Sequence, residues 1–227
     1  MSNLEERQAL IGEMAEHLKK NIYHSEERKI TTPRKEYQAE SQKVVSLEEA
    51  IRRSGLKDGM TVSFHHHFRE GDLVVCMVME EIHKMGFKNI TLSASSLGKA
   101  HDALVPMIED GTILNIESSG VRGKIGDAIS HGKLKGLATM RSHGGRVRAI
   151  ETGETHVDIA FIGAPSCDEY GNCWYKGTMR NFNVVMATAA DTVIAECEYI
   201  VPVGDIEPEN VHTYGMCVNY IVEGDRK

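Results

Sequence analysis

The sequence predicts an α/β domain with a mainly parallel, open sheet covered by helices on both faces, preceded by an N-terminal helical arm. Three observations carry this. Short apolar runs such as "GMTVSF", "NITLSAS", "TILNIES" and "VDIAFIGAP" recur, each of a length that suits a buried strand. Stretches of helical periodicity lie between them, so strand, loop and helix repeat in that order. The stretches are punctuated by a helix-capping pattern and by glycines where helices should stop.

In chain order, residues 3 to 20 read as an amphipathic helix, with Leu4, Leu10, Ile11, Met14 and Leu18 near one stripe. The polar stretch from Asn21 to Lys43 reads as an extended arm. A helix that short needs a neighbour to persist in water, so the arm is expected to pack on one. The predicted division is an arm over residues 1–42 and one α/β domain over 43–227.

The regular domain opens with "SLEEAIRRSG", a helix with Ser46 and Glu49 as a capping box and Gly55 as its stop. "GMTVSF" is the first strand, and "GDLVVCMVMEEIHKMG" a helix closed by Gly86. "NITLSAS" is a strand, "AHDALVPMIEDG" a helix broken by Pro106, and "TILNIES" a strand. "SGVRGKIGDAISHGKL" is a loop and helix, "RSHGG" a loop, and "VDIAFIGAP" a strand. "CDEYGNCWY" reads as a hairpin turning at Tyr170-Gly171-Asn172, followed by helix "NVVMATAAD" and strand "TVIAECEYIV". In such sheets ligands bind beyond the carboxyl ends of the strands, so function is expected in the loops after Phe64, Ser95, Ser118 and Ala164.

At 227 residues the chain has room for a real core, and 41% hydrophobic with 26% charged residues is ordinary for a globular protein. A net charge of −7 argues against nucleic acid as a partner, since that function needs a basic footprint. It leaves room for a local cationic pocket. No apolar run is long enough to span a bilayer, and the charged N-terminus lacks a signal core. The five cysteines are odd in number and include no C-x-x-C pair. Reduced, mostly buried thiols in a cytoplasmic protein are expected.

The segment "TVSFHHHFREGD" places His65, His66, His67 and Arg69 where the first strand ends. On extended backbone His65 and His67 share one side and His66 turns to the other. Metal binding, packing and an anion or acyl pocket all remain open. The loop position favours the pocket, because Arg69 offers a planar fork to a carboxylate or phosphate. No metal site is expected, since no donor pair has metal-ligand spacing.

Ser119 and Gly120, between a strand and a helix, suit a loop that approaches an anion with its amides; an ordinary turn fits equally well. Ser142, His143, Gly144 and Gly145 stand among Arg141, Arg146 and Arg148. That run fits either a solvated charged face or a site for a phosphate-bearing tail. Asp168 and Glu169 read as a solvent-facing pair, and Cys167 has no evident base. Neither a dinucleotide fingerprint, a P-loop nor a serine-hydrolase elbow is present.

The stretch from Thr178 to Gly215 resembles the C-terminal signature of α subunits in two-subunit coenzyme A transferases. The matching residues are Arg180, Asn181, Phe182, Asn183, Ala187, Ala189, Ala190, Glu196 and Thr213, with Tyr214 where proline is usual. The front half is different. "LEEAIRRSGLKDGMTVSFHHHFREGD", "MGFKNITLSASSL", "SHGGRV" and "PSCDEYGN" resemble the citrate lyase α chain.

This resemblance implies the transferase-like fold and thioester exchange between carboxylic acids, either citrate with acetate or a 3-oxoacid with acetate. It implies coenzyme A, or an acyl carrier derived from it, as substrate, with no permanently bound cofactor. Citrate lyase α chains resemble two such domains fused, and the catalytic glutamate of the transferases lies in a Ser-Glu-Asn-Gly type segment of the β half. No such tetrapeptide occurs here. The resemblance therefore implies half a site, with catalytic residues unassigned in this chain, completed in an oligomer by a β-type subunit or citrate-lyase-type partners. His65, His66, His67 and Arg69 would bind the acid, and Ser119, Gly120, Ser142, His143, Gly144 and Gly145 the thioester. Asn181, Asn183 and Glu196 would support the site structurally. The rival expectation is a non-catalytic ligand-binding or regulatory subunit on the same fold.

Overall fold

The computed structural model describes residues 43–65 and 73–224. The expected helical arm lies outside the described residues. The first helix, α1 (Leu47–Arg53), starts where the capping box places it: the Ser46 hydroxyl accepts from the Glu49 amide at 3.2 Å. Strand β1 (Thr61–His65) follows, then helix α2 (Val74–Lys84) and strand β2 (Ile90–Ala94). The next stretch corrects the sequence reading. Pro106 does not break a helix: a 3-10 turn over Lys99–Leu104 runs into α3 (Val105–Glu109), with the proline in its first turn. Proline is tolerated there because first-turn amides have no partner within the helix.

Strand β3 (Ile113–Ser118), helix α4 (Gly123–Ser130) and a short edge strand β4 (Ala138–Met140) come next. The expected loop "RSHGG" is instead the start of α5 (His143–Glu151), capped by Ser142. Then come β5 (Ile159–Asp168), β6 (Cys173–Trp174), α6 (Arg180–Ala189), β7 (Thr192–Val201) and β8 (Tyr220–Glu223).

Among the described residues the strands form one 8-stranded sheet, in the order β4-β3-β2-β1-β5-β7-β8 with β6 beside β5. Every pairing is parallel except β5 with β6. Strands β1 to β4 are laid down in one direction and β5, β7 and β8 in the other, so the order reverses between β1 and β5. That reversal is where an open parallel sheet leaves a crevice at its carboxyl rim.

Helices cover both faces. Val62 and Phe64 of β1, Leu92 and Ala94 of β2, and Phe161 of β5 pack with α1 to α4 in one core. Ala160, Ile162, Val193 and Ala195 pack with Phe182 and Met186 of α6 in the other. The β5–β6 hairpin is held by Asp168, which is buried and not solvent-facing. Its carboxylate accepts from the amides of Tyr170 and Asn172 and from the Asn172 side chain at 3.0, 2.9 and 2.8 Å. Gly171 turns the hairpin at φ 93°, a region closed to most side chains, and a Cβ there would lie 2.8 Å from Val218.

Candidate functional site

At the reversal point the carboxyl end of β1 joins edge to edge with the loops that follow β2, β3 and β4. His65 closes β1, and its Nδ1 lies 3.0 Å from the Ser95 hydroxyl just after β2. The Ser119 amide donates to the Ser95 carbonyl at 3.3 Å, and the Arg141 amide to the Ser118 carbonyl at 3.0 Å. These bonds line up the end of β1 and the loops after β2, β3 and β4 as one rim. Ser142, His143 and Gly144 lie at its end, where α5 begins. The Ser142 hydroxyl accepts from the Gly145 amide at 3.1 Å, and a Cβ on Gly145 would sit 3.1 Å from that oxygen, so a side chain there would press on the cap.

Under the rim lies a residue that the sequence alone does not single out. Arg146 of α5 reads there only as part of a solvated charged run or a phosphate site, yet it is 0% exposed. Its Nη2 donates to the Ser63 and Ser93 hydroxyls at 2.8 and 3.1 Å, and its Nη1 to Ser95 at 3.1 Å. Burying a guanidinium costs several kcal/mol before compensation. Charge-assisted bonds to the serines return roughly 1.5–3 kcal/mol each. The Phe182 ring adds a cation–π contact at 4.8 Å. Burial lowers the Arg146 pKa to about 10, with Glu117 working against the drop, so the side chain remains a cation at neutral pH.

Phe182, from the Arg-Asn-Phe-Asn run, is the hub of a basic cluster. His65 packs on its ring at 4.8 Å between centroids, His143 approaches edge-on at 5.9 Å, and Arg146 covers it. The next layer is acidic. Glu117 is buried on β3, with Thr155 donating to Oε2 at 2.7 Å and the Arg141 Nε 3.6 Å from Oε1. Ser63, Ser93, Glu117 and Thr139 are register partners on neighbouring strands, so they form one polar row on the sheet face that α5 covers.

The other expected site residues fall as follows. His66, His67 and Arg69 lie outside the described residues. The amide of Gly120 is bonded to the Ser118 hydroxyl at 3.2 Å, and its carbonyl accepts from the Leu97 amide at 2.9 Å, so this turn ties two loops together. Asn183 is buried and donates to the Gly163 carbonyl at 2.8 Å, pinning α6 to β5. Asn181 is exposed, in an outer groove with Val147, Arg180 and Val184. Glu196 sits on β7, two strands from β1, with its carboxylate against the backbone of Gly224.

Cys167 and Cys173 face each other across the hairpin with sulfurs 3.5 Å apart. The hydrogen bond from Cys173 and burial push the Cys167 thiol up, which removes it as a nucleophile at neutral pH. His156, Asp158 and Asp191 cluster at the opposite, amino-terminal rim, with donor atoms within 4.8 Å of one another. One Asp158 oxygen is already bonded to the Thr61 amide at 2.7 Å, and His156 pairs with Asp191 at 3.0 Å. No described helix is long and apolar enough to cross a membrane.

Comparison with known proteins finds relatives across most of the chain. The family model for the citrate lyase alpha subunit matches residues 40–225. The citrate lyase alpha chain of Escherichia coli K12 is 48% identical over 180 residues, 75% of this chain and 35% of that one. A Bacillus subtilis protein, named as one subunit of a succinyl-CoA:3-ketoacid coenzyme A transferase, is 32% identical over 183 residues, 77% of this chain and 75% of that one. A solved structure from Streptococcus mutans, assigned as the alpha chain of citrate lyase and in complex with citrate, matches with a TM-score of 0.74 and 44% identity. That match covers 81% of this chain and 37% of the other. This chain thus spans about a third of the length of the citrate lyase alpha chains it matches.

Proposed function

The chain belongs to the citrate lyase alpha-subunit family, and on that premise we propose that it contributes half of a site that exchanges a thioester between carboxylic acids. The carboxylate of the incoming acid attacks the acyl carbon of the thioester, and the C–S bond breaks to give a mixed anhydride and a thiolate. The thiolate then attacks the other carbonyl of the anhydride, forming the new thioester and releasing the first acid as its carboxylate. No net proton moves. Both steps build negative charge on an acyl oxygen, which fixed hydrogen-bond donors and positive charge at the rim would stabilise.

The observation that supports this reading is the basic cluster of His65, His143 and Arg146 around Phe182 at the carboxyl rim, where the strand order reverses. In this proposal His66, His67 and Arg69 receive the carboxylates of the acid, while His65, whose ring nitrogens already meet Ser95 and the Thr178 carbonyl, shapes the rim instead of contacting the acid. The first turn of α5, from Ser142 to Gly145, with Ser119 and Gly120, holds the thioester or its phosphate-bearing carrier. Coenzyme A or a carrier derived from it is a substrate and not a resident group. A β-type transferase subunit or citrate-lyase-type partner supplies the rest of the site. We assign residues 43–227 to the exchange domain and 1–42 to an arm, and we place the protein in the cytoplasm, which its free and mostly buried thiols suit.

The test is exchange of labelled acetate into an acyl thioester by the full chain, alone and with each partner type. The expected result is label in the thioester only when a partner is present. Borohydride trapping then separates a covalent glutamyl intermediate on the partner from turnover without one. Ligand-induced thermal stabilisation by coenzyme A or citrate, with no exchange under any partner, would replace this reading with a non-catalytic binding subunit.

A further inference from the structure

We propose that Arg146 is a positioning residue: acting through Ser95, it holds His65 as the neutral tautomer with its proton on Nε2, so that His65 is a fixed strut and not a proton shuttle. The argument begins at Nε2, which lies 3.2 Å from the backbone carbonyl of Thr178. A carbonyl oxygen only accepts, so this nitrogen carries a proton. In a neutral ring the other nitrogen, Nδ1, is then bare and must accept. Its partner is the Ser95 hydroxyl at 3.0 Å, which has one proton to give.

Arg146 determines which way that proton points. Its Nη1 donates to the same Ser95 oxygen at 3.1 Å and takes one lone pair. The hydroxyl proton cannot point at a guanidinium and turns to the ring. If Nδ1 were also protonated, Ser95 would accept two cationic donors at once, with an imidazolium and a guanidinium sharing one oxygen. A neutral His65 avoids that arrangement. Arg146 itself has little room to move, because Nη2 is divided between Ser63 and Ser93 and the Phe182 ring lies against the guanidinium.

The consequence is mechanical. His65 ties the end of β1 to Thr178, in the 3-10 turn Gly177–Met179 that leads into α6. Phe182 sits on the first turn of α6, so the strut also sets the ring against which His143 packs. A single buried cation therefore fixes the mutual placement of the end of β1, the start of α5 and the start of α6. This rests on the exchange-site reading only for its functional consequence; the tautomer is a property of the chain alone.

The test is a long-range proton–nitrogen correlation spectrum of the full chain labelled in histidine, with His65 assigned by comparison with His65→Gln. The expected wild-type signature is a protonated Nε2 and a bare, hydrogen-bonded Nδ1. In Arg146→Met the Thr178 carbonyl still holds the Nε2 proton, but the Ser95 hydroxyl is free to turn. Nδ1 is then expected to lose its fixed donor and show a shifted, partly protonated signal. Arg146→Lys, which restores a cationic donor, should recover much of the wild-type signature. Should Arg146→Met fail to fold, Ser95→Ala cuts the same path while Arg146 keeps two serines, and the Nδ1 signal must move from its wild-type position. A proton on Nδ1 in the wild type, or a His65 spectrum unmoved in folded Arg146→Met or Ser95→Ala, overturns the proposal. In the reconstituted exchange assay Arg146→Met should lose on the order of 100-fold in rate through misplacement, with partial rescue by Arg146→Lys. If the wild type shows the expected tautomer and no exchange, the functional reading fails and the tautomer assignment stands.

Discussion

Strands β1, β2 and β3 have two faces of opposite character. Towards α1 to α4 they present Val62, Phe64, Leu92, Ala94 and Ile116, all at most 1% exposed and packed in one apolar core. Towards α5 they present Ser63, Ser93 and Glu117, also buried, bonded to Arg146 and Thr155. One residue's shift along a strand separates the two environments, because side chains alternate. The apolar face contributes stability through area removed from water. The polar face holds a charge in place, and its expected return is geometry at the carboxyl rim, not free energy of folding.

That contrast can be broken most decisively from the apolar side. Phe64 is 0% exposed and stacks on Phe161 with ring centroids 5.4 Å apart. Phe64→Ala is expected to cost about 3–5 kcal/mol, from lost transfer energy and the cavity left behind. Urea unfolding followed by circular dichroism measures it. A loss below about 1 kcal/mol would mean that this face is not the main source of stability.

The polar side should behave differently. Arg146→Met relieves the cost of burying a cation but leaves the Ser63, Ser93 and Ser95 hydroxyls without their donor. The two effects oppose each other, and the net change is expected to stay within about 2 kcal/mol of either sign. The same urea experiment reads it. A loss as large as that of Phe64→Ala would make the polar row a stability element and erase the distinction.

The two faces also differ in how far the sequence reveals them. The apolar face is legible, because "TVSF" and "ITLSAS" carry strand periodicity and α1 and α2 begin and end on recognisable signals. The alternate hydroxyls in those strings, Ser63, Ser93 and Ser95, are the available sign that the second face is polar. Their partner is hidden, since an arginine in a basic run is ordinarily solvated, and only tertiary packing shows Arg146 turned inward. The start of α5 is obscured by the Gly144-Gly145 pair, whose poor helix propensity is outweighed by the Ser142 cap and by buried Arg146, Ala149 and Ile150. Strand β4 has three residues at a sheet edge and β8 has four, too short for periodicity to declare them. Asn183 and Phe182 are visible through the Arg-Asn-Phe-Asn signature, although nothing local shows that Asn181 beside them faces outward.

The smallest expected effect concerns a titrating group on the apolar side. His101, in the 3-10 turn ahead of α3, is 4% exposed, and its Nδ1 accepts from the Gly98 amide at 3.1 Å. Burial holds its pKa below the ordinary histidine value of 6.5, although the Gly98 contact and Asp102 act in the other direction. The unfolded chain therefore takes up a proton at this residue first as pH falls. Above the unfolded pKa both states are neutral and stability is undiminished. Below it the unfolded state gains protons that the folded state refuses, and stability falls until the folded pKa is reached. One proton sets a ceiling of about 1.4 kcal/mol per pH unit on that slope. His101→Gln cannot titrate, so its melting temperature should decline less steeply than that of the wild type between pH 7 and the acid side of the histidine range. His212, which burial and Arg180 also hold low, is present in both proteins and cancels from the difference. Parallel slopes for the two proteins would show that His101 takes up its proton without opening the turn, and that this corner of the apolar face tolerates a charge.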